Sequence, residues 1–359
     1  MRLWLRAESS ETERRSPLSP EGAGELIRAG HDIIVEAAPH RIFQDEAFEA
    51  VGCSIEPRGS WVSAPENCYV LGLKELPPQP DELVHRHIYF AHAYKKQAAS
   101  IQLLKRFTRG GGLLLDLEYL RDQSNRRVAA FGHWAGVVGS ALALIQWGTR
   151  FSGGLAGVLK EFAPFTQSRR LNEIVRKSLG EKLPTVIIIG AGGRCGGGSV
   201  ELCGSHGIRP TLWGRGDARS RDLEALLGHD ILVNCALISE LAPPLLREQD
   251  VMRASRRLSV ISDVSCDQKS PYNSMPVIPE TTTWHSPVRR LLEETHPAGV
   301  LDGIAIDNLP SLLPKESSDA FAAALLPYLF KLSEEEDLCW RSARCEFESQ
   351  IEKAGLRAF

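Results

Sequence analysis

The stretch TVIIIG at 185–190, followed by AGGRCGGG and then by PTLWGR at 210–215, limits the fold of this chain more than any other feature. A wholly apolar run rich in β-branched residues suits a strand buried on both faces, as in a parallel sheet. Gly190, Gly193 and Gly196, spaced G-x-x-G-x-x-G, predict a tight turn, and Gly192, Gly197 and Gly198 extend it. GSVELCGSHG predicts the helix that follows. Strand, turn, helix and strand make a βαβ unit whose helix N-terminus offers free N–H groups and a positive dipole to an anion. In that context the turn predicts a dinucleotide site.

The same alternation runs along the chain. LWLRAE (3–8), DIIVEAA (32–38), NCYVLGLKEL (67–76), HIYFAHAY (87–94) and GLLLDLEYL (112–120) read as strands. EGAGELIRAG, DEAFEAVG and KQAASIQLLKRFTRGGG read as the helices between them. A long apolar helix at about 128–148, a surface stretch to about 170 and the helix LNEIVRKSLG come next. ILVNCAL (231–237), LSVISDVS (258–265) and GVLDGIAIDNL (299–309) add further parallel strands, with DLEALLG among the helices. The tail from Ser317 reads as helical with one proline and is expected to pack back on the first domain. The pattern predicts an α/β fold with two Rossmann-like, doubly wound parallel-sheet domains and an interdomain cleft. The expected substrate domain spans 1–131 and 315–359, and the dinucleotide domain 132–314. A hinge is expected near 128–135 and 310–318.

At 359 residues the chain is long enough for two cores. Its 43% hydrophobic and 24% charged residues are ordinary for a soluble globular protein. A net charge of −3 argues against a nucleic-acid partner, because phosphate-tracking proteins carry a basic excess. The most apolar stretch, Val128 to Trp147, is broken by Gly132, His133, Gly136, Gly139 and Gln146, so no membrane span is expected. The eight cysteines form no CxxC pair and no cluster with zinc spacing, so no metal and a reducing, cytoplasmic setting are expected. MRLWLRAESSETERR has no apolar core, so no secretory signal is expected.

Chemistry gathers at the ends of the first strands. GLKELP places Lys74 and Glu75 after one apolar run; FAHAYKKQ places His92, Lys95, Lys96 and Gln97 after the next; DLEYL places Glu118 on a third. Each alone is as readily a surface lysine or a bonded core histidine. Grouped at strand carboxyl ends, they suit acid–base work at an amine centre. Arg14-Arg15 and Arg126-Arg127 suit a small-molecule substrate with carboxylates, or are solvated charge clusters. The second strand of the glycine unit ends Trp213-Gly214-Arg215, with no acid for an adenosine ribose, and Arg219 and Arg221 follow. Those arginines favour the 2′-phosphate of NADP(H). Asp217, swinging in, would restore NAD(H), which stays open as the alternative.

A family resemblance rests on LRAE (5–8), ERRSPLSP (13–20), GSW (59–61), GLKELP (72–77), HIYFAHAYKKQA (87–98), DLEYL (116–120), RRVAAFG (126–132), IIGAGGRCGGG (188–198), VNC (233–235), DVSCD (263–267) and IDNLPSLLPKESS (306–318). In that order, over nearly the whole chain, the sequence resembles the lysine-forming saccharopine dehydrogenases within the alanine dehydrogenase/transhydrogenase-like group. The resemblance implies an opine-type oxidoreductase of amino-acid metabolism that oxidises a secondary amine and hydrolyses the imine to an amino acid and a 2-oxo acid. It implies acid–base roles for Lys74 and His92, with Glu75 and Glu118 tuning them. It places Arg15, Gln97, Arg127, Phe131, Ser265, Cys266 and Asp267 on substrate positions. It places Arg126, Gly190, Gly193, Arg194, Gly196, Gly214, Arg215, Leu237, Val264, Ile306, Asp307, Asn308 and Leu309 on cofactor positions. It also matches Cys195 and Cys235 to a cysteine pair near the cofactor, either as thiols or as a reversible disulfide.

The departures are Gly214 for an acid, Leu237 for an aromatic, Ala218 for a hydroxyl residue, Asn308 for a histidine and His133 for an aromatic. They leave a paralogous imine reductase with another amine and oxo-acid pair as the alternative activity. A non-catalytic nucleotide-binding protein is the third.

Overall fold

The computed structural model describes the chain except for residues 95–97, 150–162, 166, 237–241, 267, 269–271, 335–336 and 357–359. It divides into two compact units, Met1–Ala130 with Ser317–Phe359, and Phe131–Glu316.

In the first unit, short apolar runs punctuated by glycine and proline form β1 (Arg2–Leu5), β2 (Asp32–Glu36), β3 (Ser54–Glu56), β4 (Tyr69–Leu71), β5 (Arg86–Tyr89) and β6 (Leu113–Asp116). All pair in parallel, in the order β3-β2-β1-β4-β5-β6. Helices α1 (Pro20–Arg28), α2 (Asp45–Glu49) and α3 (Ala98–Gly110) make crossovers. The Ser19 side chain caps α1 by accepting from the Gly22 N–H at 3.1 Å, and Pro20 opens the first turn. The chain winds outward from β1 to β3 and then resumes on the other side of β1 with β4. The switch point between β1 and β4 is where such sheets bind ligands, outside the strand carboxyl ends.

The second unit opens with α4 (Gly132–Thr149) and α5 (Ser168–Leu179). Then come β7 (Val186–Ile189), α6 (Arg194–Ser205), β8 (Thr211–Trp213), α7 (Arg215–Ser220), α8 (Leu223–Gly228) and β9 (Ile231–Asn234). α9 (Glu248–Val251), β10 (Val260–Asp263), β11 (Arg289–Leu292) and β12 (Leu301–Ile304) complete it. The sheet order is β11-β12-β10-β9-β7-β8, with its switch point between β7 and β9. β11 is antiparallel to β12, an edge strand that the polar run Arg289-Arg290 does not announce.

α6 begins earlier than its apolar residues suggest and runs through the glycines. Two of those contacts explain why. A Cβ at Gly198 would lie 2.0 Å from the His133 carbonyl oxygen, and one at Gly136 would lie 1.8 Å from that of Cys195. Glycine on both helices lets the α4 and α6 backbones touch.

The tail is broken into α10 (Pro314–Leu329), with Pro327 inside it, and α11 (Leu338–Lys353). Asp337 caps α11 by accepting from the Cys339 and Trp340 N–H groups at 3.0 and 3.2 Å. Phe347 and Ile351 of α11 join the first unit's core with Trp61, Val70 and Phe107. Among the described residues no helix is long and apolar enough to cross a membrane.

Candidate functional site

In the first unit the candidate residues follow the carboxyl ends of β4, β5 and β6. Gly72 follows β4, and a Cβ there would lie 2.4 Å from Arg6 Nε, so only glycine admits that guanidinium. Arg6, itself buried, donates to the Lys74 carbonyl oxygen. Glu8 accepts from the Leu73 and Lys74 N–H groups at 2.7 and 2.9 Å, and pairs with Arg6 at 3.3 Å. Lys74 is therefore fixed at its backbone, with its side chain half-buried and Glu75 exposed. His92 follows β5 with φ +50 and an exposed side chain.

Glu118 follows β6 and accepts from Arg127 Nη2 at 2.5 Å. Arg126 is largely exposed and pairs with Asp122. Arg15 is buried and grips Glu13 through Nε and Nη2 at 2.8 and 2.6 Å. Burial pushes the Glu13 carboxyl up, but the bonds and charge of Arg15 outweigh it and hold the group below the usual range. Arg15, Glu13, Arg6, Glu8, Arg41 and Arg58 line one open cleft. Guanidinium and carboxylate groups side by side suit a ligand that carries both carboxylate and ammonium.

In the second unit Gly190 has φ +76, and a Cβ there would crowd the Cys235 carbonyl at 2.9 Å. Gly193 is the N-cap of the 12-residue α6, and no side chain caps that helix. Gly192, Gly193 and Arg194 are exposed, and a Cβ on Gly192 would meet nothing. The helix N-terminus is thus left open, which fits a dinucleotide pyrophosphate. Gly196 lies beneath it, where a Cβ would sit 2.3 Å from the Gly190 carbonyl oxygen.

Cys195 and Cys235 are not joined by a disulfide. Burial pushes Cys235 up to about 12, and its Sγ lies 3.4 Å from Ser199 Oγ. After β10, Val264 is buried, Ser265 Oγ donates to the Ala236 carbonyl at 2.7 Å, and Cys266 has φ +51. Phe131 is half-buried ahead of α4. Ile306 and Leu309 are buried, Asp307 is exposed, and Asn308 Oδ1 accepts from Trp284 Nε1 at 2.9 Å. Lys95, Lys96, Gln97, Leu237 and Asp267 lie outside the described residues.

At the end of β8, Gly214 is the N-cap of α7, and Asp217 Oδ2 accepts its N–H at 2.8 Å. That oxygen lies 3.7 Å from where a Cβ of Gly214 would be. Arg215 and Arg219 are exposed on α7. Arg221 turns the other way, donating to Asp250 and to the Leu245 carbonyl.

The family models "Alanine dehydrogenase/PNT, N-terminal domain" and "Alanine dehydrogenase/PNT, C-terminal domain" match residues 4–138 and 215–346. The chain is 41% identical to a saccharopine dehydrogenase [NAD(+), L-lysine-forming] of Emericella nidulans, over 98% of this chain and 97% of that one. The chain belongs to the lysine-forming saccharopine dehydrogenase family. The family's enzyme of the same name from Yarrowia lipolytica is 38% identical over 99% of both chains. Among solved structures, an L-alanine dehydrogenase superposes with a TM-score of 0.67 at 19% identity, covering 100% of this chain and 96% of that one, a likeness of fold.

These relatives overturn the preference for NADP(H), since both are named as NAD(+) enzymes. The physical reason stands at the end of β8. Position 214 has no acid, but the Asp217 carboxylate stands beside it at the Gly214 N–H, a charge that would repel a 2′-phosphate placed there. Arg221, one of the arginines counted towards that phosphate, is engaged by Asp250.

Proposed function

We propose that this chain is an NAD-dependent saccharopine dehydrogenase, oxidising the secondary amine of saccharopine and hydrolysing the imine to lysine and 2-oxoglutarate. The observation that carries the proposal is that Lys74, His92 and Glu118 follow three adjacent parallel strands, beside a unit surface rich in buried arginine. NAD, when bound, accepts the hydride from the carbon bonded to the amine nitrogen. Lys74 and His92 move the protons: off the amine nitrogen, off the water that adds to the imine carbon, and onto the nitrogen of the departing lysine. Glu75 and Glu118 set the charge around them, and the Glu118–Arg127 pair limits where Arg127 can point. Arg15, Arg127, Phe131, Ser265 and Cys266 hold substrate. Gly190, Gly193 and Gly196, with Arg126, Arg194, Val264 and Ile306 to Leu309, hold the dinucleotide. The eight cysteines, with no CxxC pair among them, suit a reducing compartment, and we place the protein in the cytoplasm.

The substrate assignment is tested in the reductive direction, with 2-oxoglutarate, NADH and a panel of amines. Lysine is expected to be the best amine, with ornithine, one methylene shorter, roughly 10- to 200-fold poorer in kcat/KM. A different amine ahead of lysine would overturn it.

Asp217 carries the cofactor preference in this proposal. Its carboxylate accepts from the ribose hydroxyls in place of an acid on the strand. Asp217→Ala is expected to weaken NADH binding, followed by fluorescence titration, by about 10-fold, the low end for a bond to a charged acceptor. NADPH binding should hold or tighten. An unchanged ratio of the two affinities would remove Asp217 from the account.

A further inference from the structure

We propose that Asp116 is the positioning residue for His92, the buried carboxylate that shapes the backbone from which the imidazole projects. The proposal rests on the acid–base role given to His92 above. Asp116 closes β6 opposite Tyr89 of β5 and is 1% exposed. Its Oδ1 accepts from the Ala91 N–H at 3.3 Å and the Glu118 N–H at 2.9 Å. One side chain thus holds the residue that precedes His92 and the backbone of Glu118.

His92 needs such a hold. Its φ of +50 lies in the left-handed region, which a residue bearing a Cβ rarely adopts and keeps only where the surroundings over-determine it. The Ala91 bond to Asp116 fixes the chain immediately before His92. Ser100 Oγ also donates to the His92 carbonyl, at 3.3 Å, so the backbone is anchored while the ring is exposed.

The bonding of Asp116 points the same way. Among the described residues it pairs with no cation, and its Oδ2 meets no hydrogen-bond donor. Burial pushes its carboxyl up to about 6, opposed by the backbone bonds from Glu118 and Ala91. A buried acid is costly unless it is bonded, and every donor here belongs to the segments that carry His92 and Glu118.

The test compares the full-length protein with Asp116→Ala, Asp116→Asn, His92→Gln and the double variant His92→Gln/Asp116→Ala, assayed with saccharopine and NAD+. Misplacing a proton-transfer group by about an ångström costs roughly 10²-fold, and Asp116→Ala is expected to lose that much kcat. NADH affinity should change by less than about twofold, which separates misplacement from collapse of the fold. Asp116→Asn keeps an oxygen acceptor and should recover most of the rate. In the His92→Gln background, adding Asp116→Ala should cost well under the roughly 10²-fold it costs alone, because only its hold on Glu118 remains.

A full further loss in that background would overturn the proposal, as would Asp116→Ala at the wild-type rate. Should Asp116→Ala fail to fold, a folded Asp116→Asn protein slowed more than about tenfold contradicts it equally. Wild-type turnover by His92→Gln would instead overturn the acid–base role on which the proposal rests.

Discussion

Lys74→Met is expected to lower kcat for saccharopine oxidation by roughly 10²- to 10⁴-fold, the range for losing a positioned acid–base group. The structure makes this substitution clean. The backbone of Lys74 is held by Glu8 through two N–H groups and by Arg6 through its carbonyl, none of which depends on the side chain. Methionine keeps most of the side chain's length and replaces its charged end with an uncharged thioether. NADH affinity, measured by fluorescence, should move by less than about twofold, since the glycine turn proposed to hold it lies on the other unit. His92→Gln should give a loss of the same order. Joining the two should cost less than the product of the single effects, as for groups that act as one unit. Retention of wild-type kcat by Lys74→Met would remove the lysine from the mechanism.

Glu36→Ala is expected to destabilise the first unit by about 4 kcal/mol, the scale of leaving several buried donors without an acceptor. Glu36 ends β2 with 0% exposure. It accepts from Trp4 Nε1 at 3.3 Å and from the N–H groups of Ala7, Gly59 and Trp61 at 2.9, 3.0 and 2.7 Å. Those bonds tie the end of β1 to the 57–61 segment, and Ala7 lies between Arg6 and Glu8, which hold Lys74. Thermal unfolding followed by circular dichroism should show the first unit melting roughly 10 °C lower. A shift under about 2 °C would mean that the donors find water instead.

The glycine turn was legible because its requirement is local. A strand, a positive φ at Gly190 and an uncapped helix all follow within a few residues of one another. Lys74, His92 and Glu118 were legible for a similar reason, each standing just past an apolar run that forms a strand. What holds them was not. Glu8, Glu36 and Asp116 accept from backbone N–H groups in segments that follow other strands, and strand order and register do not show in the sequence. β11 escaped because its charged residues pair with partners outside the strand, Arg289 with Glu280 and Arg290 with Asp302.

The cofactor was misread for a physical reason of the same kind. The arginines after Trp213 were counted by position along the chain, while the fold turns Arg221 to Asp250 and brings Asp217 back to Gly214. The carboxylate nearest Gly214 stands three residues along the chain and reaches back to it through a helix cap.

The most direct measurement is the oxidation of saccharopine by the purified protein, with NADH read by absorbance and the products by mass spectrometry. One NADH, one lysine and one 2-oxoglutarate should form per saccharopine consumed, with NADP+ at least about tenfold poorer in kcat/KM, as for the loss of one bond to a charged acceptor. Absence of NADH formation from a folded protein that binds NADH, or an amine product other than lysine, would contradict the account.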